Sequence, residues 1–224
     1  MNFLSHYYFD KAKTISYEIV GMVLPDLLKN ADKNWNAHPE KHEHLFKSDD
    51  HLALLNGWKR HLAVDQLFHN STFFKHHQHQ IKLRIRENLE DSPVKPFFLG
   101  HISLELMLDS LLMTHQMINV DQFYKHLEQV ENHILEEFLL LNGIENTDKF
   151  FHFFEMFKKE KYLFSYINPE KITYALRRIC MRLWKNPFTL EQETALTYSL
   201  LDYKKSLSEE FIFIFEMIDA QLNQ

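Results

Sequence analysis

A single cysteine, Cys180, rules out a disulfide within the chain. It sits in the apolar run Ile179, Cys180, Met181, which suits a buried structural thiol better than a nucleophile. Only 4 Gly and 6 Pro punctuate 224 residues. Turn formers that sparse argue against a many-stranded sandwich or barrel, and the expected fold is all-α, a single-domain helical bundle over residues 1–224. No uncharged run approaches the roughly 20 residues that cross a bilayer. The opening MNFLSHYYFDKAK lacks both a basic start and a long apolar stretch. A secretory leader is therefore not expected, and the cytoplasm is the expected compartment. Positive charge is not in excess: the net charge is −6 with His neutral. Nucleic acid is not an expected partner, and an acidic partner would need a local basic patch. The chain also lacks a Gly-rich phosphate loop, a dinucleotide fingerprint, a nucleophile elbow and any internal repeat.

What is present is ordinary in bulk and unusual in two residue types. The hydrophobic fraction of 45% and charged fraction of 25% fit a soluble globular domain with an ample core. Phe occurs 20 times, which points to a core filled with rings. His occurs 15 times. The His-rich string KHHQHQ at 75–80 is polar throughout and reads as a solvated helix face.

Apolar periodicity predicts helices over about 2–12, 14–30 with Pro25 bending or restarting the run, and 49–70 behind Ser48, Asp49 and Asp50. Further helices are expected from Ser71 or Thr72 to Asn88, and over 96–117, 121–142, 147–160, 169–185 and 189–222. Gly143 marks a stop, and Thr189 with Glu191 and Gln192 marks a start.

Two of these helices carry donors at helical spacing. His61, Asp65 and His69 recur every fourth residue, as do His101, Glu105 and Asp109. Residues four apart drift only about 40° around a helix, so each trio shares one face. The surrounding residues, among them Leu62, Val64, Leu67 and Phe68, then Ile102, Leu104, Leu106 and Leu108, are apolar. An ionised carboxylate on such a helix is costly without a cation or strong hydrogen bonds. Inward-facing imidazoles and carboxylates on bundle helices build metal cages, with donors that suit Zn, Mn, Fe or Ni. The plainer alternative is a set of ion pairs along the helices. His6 near the start and Asp26 after Pro25 are further candidate ligands.

At these residues the chain resembles the bacterial acyl carrier protein phosphodiesterase family. The likeness rests on MNFLSH at the start, GMVLPDLL at 21–28, the pattern Gly57-x-x-x-His61-x-x-x-Asp65, and Glu105 with Asp109 before Leu112. It covers residues 1–115 in order and continues more loosely through YLFSY and ITYALRRICMRL at 162–183. The resemblance implies an all-helical, HD-like metal hydrolase that cleaves 4'-phosphopantetheine from holo-acyl carrier protein. It implies His61, Asp65, Asp26, Glu105 and Asp109 as site positions, with His6 close by. The chain departs from the pattern at Met22, Leu62 and His69, where the family has Asn, a basic residue and an acid, and it adds His101. Those departures carry a second likeness: a PDLL segment, His-x-x-x-Asp-x-x-x-His, then His-x-x-x-Glu is similar to zinc-dependent phospholipase C proteins.

Both likenesses lead to phosphodiester hydrolysis at a divalent metal. The expected ligands are His6, Asp26, His61, Asp65, His69, His101 and Glu105. Asp65, Asp26 and Asp109 are the candidates for orienting or activating water. Lys59, Arg60, Arg177, Arg178 and Arg182 are the candidates to meet phosphate or an acidic carrier protein. The competing class is a non-catalytic helical interaction protein on the same scaffold, which the departures at Met22, Leu62 and His69 permit.

Overall fold

The computed structural model describes residues 1–168 and 170–223. The fold is all-α, as the scarcity of turn formers predicts, with no strand among the described residues. The helices are α1 (Phe3–Asp10), α2 (Ser16–Ala31), α3 (Asp49–Asn70), α4 (Thr72–Ile85), α5 (Pro96–Thr114), α6 (Val120–Gln129), α7 (Asn132–Leu141), α8 (Thr147–Glu160), α9 (Lys171–Cys180), α10 (Leu190–Leu207) and α11 (Ile212–Leu222). Short 3-10 turns cover Pro39–Lys41, Glu43–Leu45, Glu87–Leu89 and Tyr162–Ile167.

The helices form two compact units that interleave in sequence. One comprises Asn2–Asp65 and Met117–Phe164; the other comprises Met1, Gln66–Gln116 and Ser165–Gln224. We call them the α2 unit and the α5 unit. The residues of α3 are shared out between them, with the change falling after Asp65.

In the α2 unit, α2 packs against α1, α6 and α8. Its core is aromatic: Phe3 lies 5.0 Å from Phe157 and Tyr7 lies 5.3 Å from Phe123, centroid to centroid. Phe150 and Phe154 are also wholly buried. These separations fall within the range preferred by tilted ring pairs. Helix α2 continues through Pro25 rather than restarting there. Two glycines set the crossing of α2 and α3. A Cβ on Gly21 would stand 2.1 Å from the Leu54 carbonyl oxygen, and one on Gly57 would stand 2.0 Å from that of Glu18. Only residues without a side chain allow the two backbones so close.

In the α5 unit, α4 packs along α5, α5 meets α9, and α10 meets α4 and α9. Ser71 caps α4 by accepting a hydrogen bond from the Phe74 amide at 3.0 Å. Helix α5 is long and apolar enough to cross a membrane, by length and composition alone. Of its most apolar stretch 67% is buried, however, and Glu105 and Asp109 lie within it. It is the core helix of its unit. In KHHQHQ, His76 and His79 are exposed as expected, but His77 turns inward and its Nδ1 lies 2.8 Å from the Tyr203 hydroxyl. Cys180 is fully buried, and burial pushes its thiol up to about 12, in keeping with a structural role.

Two predicted helices prove to be pairs. The run over 121–142 breaks at Val130, whose ψ of 140° is extended. The Val130 side chain is buried there, and the Glu131 amide donates to the Tyr17 hydroxyl at 3.2 Å instead of to a helical carbonyl. The run over 189–222 breaks after Leu207, and a turn at 208–211 separates α10 from α11. Helix α9 ends at Cys180 rather than near 185, and α5 ends at Thr114.

Candidate functional site

The expected ligands fall into two groups, one in each unit. The α2 unit brings together His6 of α1 with His61 and Asp65 of α3. The α5 unit brings together His69 at the end of α3 with His101 and Glu105 of α5. In each group, one donor atom per residue lies within 4.8 Å of the other two.

The first group is built on the α2–α3 crossing. His6 and His61 stack with ring centroids 3.9 Å apart, and both are buried. His6 Nε2 lies 3.2 Å from Asp65 Oδ1, and His61 Nε2 lies 3.7 Å from Asp65 Oδ2. The Met22 carbonyl oxygen is 2.8 Å from His61 Nδ1. A carbonyl only accepts, so Nδ1 carries the proton in the neutral ring. Burial, reinforced by the nearby His6, holds the His61 imidazolium well below its ordinary range and keeps the ring neutral. Its Nε2 lone pair then faces the Asp65 carboxylate. Burial raises the Asp65 carboxyl, but the His6 hydrogen bond and surrounding positive charge outweigh it and keep Asp65 ionised. The His61 lone pair and the Asp65 carboxylate are both donors of the kind a metal ion accepts, and an imidazole anchored through its far nitrogen is the usual form of a metal-ligating His.

The second group is tighter. His69 Nε2 and His101 Nε2 are 3.2 Å apart, and they lie 3.3 and 3.0 Å from Glu105 Oε1. These three atoms define a triangle with a circumradius of about 1.8 Å. That spacing is compatible with one ion held by all three at the ~2.0–2.1 Å typical of zinc. The donor set of two imidazoles and one carboxylate suits zinc or another divalent first-row metal. The Met1 α-amino group also lies 3.2 Å from Glu105 Oε1. Burial raises the Glu105 carboxyl, yet the Met1 charge and hydrogen bonds from His101 and His69 hold it well below the usual carboxylate range.

The remaining predicted residues stand outside both groups. Asp26 is half-buried on α2, one turn beyond Met22, and its backbone carbonyl accepts from Asn30 Nδ2 at 2.7 Å. Asp109 is fully buried on α5, one turn beyond Glu105. Lys59 pairs with Glu43 at 2.6 Å, and Arg60 Nε is 3.5 Å from Asp10 Oδ1. Arg177 pairs with Glu193 at 2.5 Å, while Arg178 and Arg182 are exposed. Lys59 and Arg60 belong to the α2 unit and the three α9-region arginines to the α5 unit. Two participants escaped the sequence reading: the Met22 carbonyl that orients His61, and the Met1 amine beside Glu105. The first had a readable signal in Gly21 and Gly57, which mark a close crossing of backbones.

Comparison with protein-family models, with curated proteins and with solved structures yields no match.

Proposed function

We propose that the chain is a metal-dependent phosphodiester hydrolase that acts on holo-acyl carrier protein and releases 4'-phosphopantetheine. The observation that carries the metal is the close triangle of His69 Nε2, His101 Nε2 and Glu105 Oε1, with sides of 3.2, 3.3 and 3.0 Å. The substrate rests on the likeness of MNFLSH, GMVLPDLL and Gly57-x-x-x-His61-x-x-x-Asp65 to the carrier protein phosphodiesterases.

A divalent ion, when bound, lowers the pKa of a water on it and offsets the charge on a phosphate oxygen. The protein supplies the rest. His69, His101 and Glu105 hold the ion, and the four-residue step from His101 to Glu105 keeps two of these donors on one face of α5. His61 is fixed in one tautomer by Met22 and presents Nε2. Asp65 of the α2 unit is held ionised, and His6 at 3.2 Å fixes one of its oxygens. His6, His61 and Asp65 give the chain the capacity for a second ion.

A second reading is favoured by His69 and His101 themselves. The carrier protein phosphodiesterase pattern has an acid at the place of His69 and no counterpart for His101, whereas the zinc-dependent phospholipase C pattern has both imidazoles. On that reading the metal chemistry is retained and the diester is a lipid headgroup.

The test loads the chelator-stripped protein with Mn, Zn, Fe or Ni and follows phosphopantetheine release from holo-acyl carrier protein. A chromogenic diester and a phospholipid are assayed in parallel. Turnover of the carrier protein supports the first reading. Turnover of the phospholipid alone shifts the assignment to the second. Activity on none of them, with any metal, leaves the non-catalytic interaction protein. Glu105→Gln is nearly isosteric and is expected to keep the fold while lowering turnover at least tenfold, because the amide no longer supplies its charge to the ion.

A further inference from the structure

The α5 unit holds a cavity of about 680 Å³ with mainly carbon walls, lined from α5 by Leu111, Thr114 and His115 and from α10 by residues that include Tyr198, Leu201 and Lys204. None of the proposed metal donors lines it. Lys204 is its unusual member. A lysine is seldom buried without a charged partner, yet Lys204 is only 7% exposed. No carboxylate pairs with it among the described residues. Its Nζ lies 2.6 Å from Ser110 Oγ. Ser110 Oγ in turn donates to the Tyr166 carbonyl at 2.6 Å, which commits the hydroxyl proton. The hydroxyl must therefore accept from Lys204. A neutral amine that donates one hydrogen to Ser110 keeps its lone pair.

We propose that this cavity binds small aldehydes with an apolar body and that the Lys204 amine condenses with them to form an imine. Nζ attacks the carbonyl carbon and forms the N–C bond. The carbonyl oxygen leaves as water and takes both amine hydrogens, so no oxidant or other reactant is needed. Ser110 holds Nζ in place through the chain to Tyr166. The carbon walls accept the apolar body, and a cavity of this size lies in the range used for small ligands. Desolvated lysines in apolar pockets are the ones that act as amine nucleophiles.

The amine is available near neutral pH. Burial pushes Lys204 down to about 8, while the other titratable groups on the cavity wall are His115, Tyr198, Asp202 and Lys205. At pH 7.5 an amine of that kind carries on the order of a hundredfold more of the neutral form than an ordinary lysine. Its lower intrinsic nucleophilicity takes back part of this advantage.

The experiment treats the full-length protein with hexanal and cyanoborohydride and maps the reduced adducts by peptide mass. Lys205, exposed at the rim of the same cavity, is the internal comparator. The expected result is labelling of Lys204 at least tenfold faster than Lys205 at pH 7.5, with a rate that levels off above about 8. Ser110→Ala, which removes the group that positions Nζ, is expected to slow labelling of Lys204 and leave Lys205 unchanged. Lys204 unlabelled, or labelled no faster than Lys205, overturns the proposal. So does Lys204-dependent binding of dodecanoate without any hexanal adduct, which would make the cavity an anion site. Because the readout is on the wild-type chain, misfolding of a variant does not affect it.

Discussion

A single methyl group at Gly57 would collide with backbone, at 2.0 Å from the Glu18 carbonyl oxygen. Backbone cannot rotate away as a side chain can, so Gly57→Ala must push α2 and α3 apart. The expected loss is about 3 kcal/mol, the upper part of the usual overpacking range, and urea unfolding measures it. The same shift would draw Met22 away from His61, so the His61 ring should lose its fixed tautomer, which nitrogen chemical shifts report. Glu105→Gln tests the other group. An amide keeps the shape but not the charge, so the affinity for zinc or manganese should fall at least tenfold by calorimetry, while Asp26→Asn, outside both groups, should leave it unchanged. His61, Asp65, His69, His101 and Glu105 were legible in the sequence because four-residue spacing on a helix is a geometric statement, whereas His6 was a candidate only from its place in MNFLSH. Their division into two groups was not legible. His61, Asp65 and His69 share a face of one helix, yet their partners, His6 for the first two and His101 with Glu105 for the third, are set by tertiary packing that spacing does not encode.

Helix starts were more legible than helix breaks, because a start is written in one side chain and a break in a competition. At α10, Thr189 accepts from the Gln192 amide at 3.2 Å, and the Gln192 side chain accepts from the Thr189 amide at 2.9 Å. That reciprocal box follows from the residue types alone. Thr189→Ala should cost about 1 kcal/mol, visible as a lowered thermal midpoint. The replacement leaves both donor groups untouched, so metal affinity should not change. The breaks at Val130 and at 208–211 carry no Pro or Gly. In the first, burial of Val130 and the Tyr17 hydroxyl taken by the Glu131 amide outweigh continued helical bonding. Apolar periodicity runs straight across such a site. Pro25 is the opposite case: the helix expected over 14–30 forms and does not restart at the proline, which is carried within α2 where Leu24 and Leu27 are wholly buried.

Across the whole molecule, composition sufficed for the all-α class, but not for the interleaving of two units whose sequences alternate. A global property follows from buried imidazoles in each. Burial pushes His126 of the α2 unit and His77 of the α5 unit below their ordinary value. The unfolded chain therefore takes up protons first as the pH falls. The stability these groups contribute is complete above about 6.5 and is lost as the pH drops through their folded values, at up to about 1.4 kcal/mol per pH unit for each. The carboxylates Asp65 and Glu105 are shifted downward, so their contribution is lost only below the usual carboxylate range, near 4. Urea unfolding in chelator should show stability falling already between pH 6.5 and 5, and His77→Gln should flatten that slope. The metal itself is best located by anomalous diffraction at the zinc or manganese edge, from crystals grown with the ion. The predicted result is a peak about 2.0–2.3 Å from His69 Nε2, His101 Nε2 and Glu105 Oε1. A map with no peak at either donor group, the imidazoles bonded to Glu105 through hydrogens alone, would contradict the proposed chemistry.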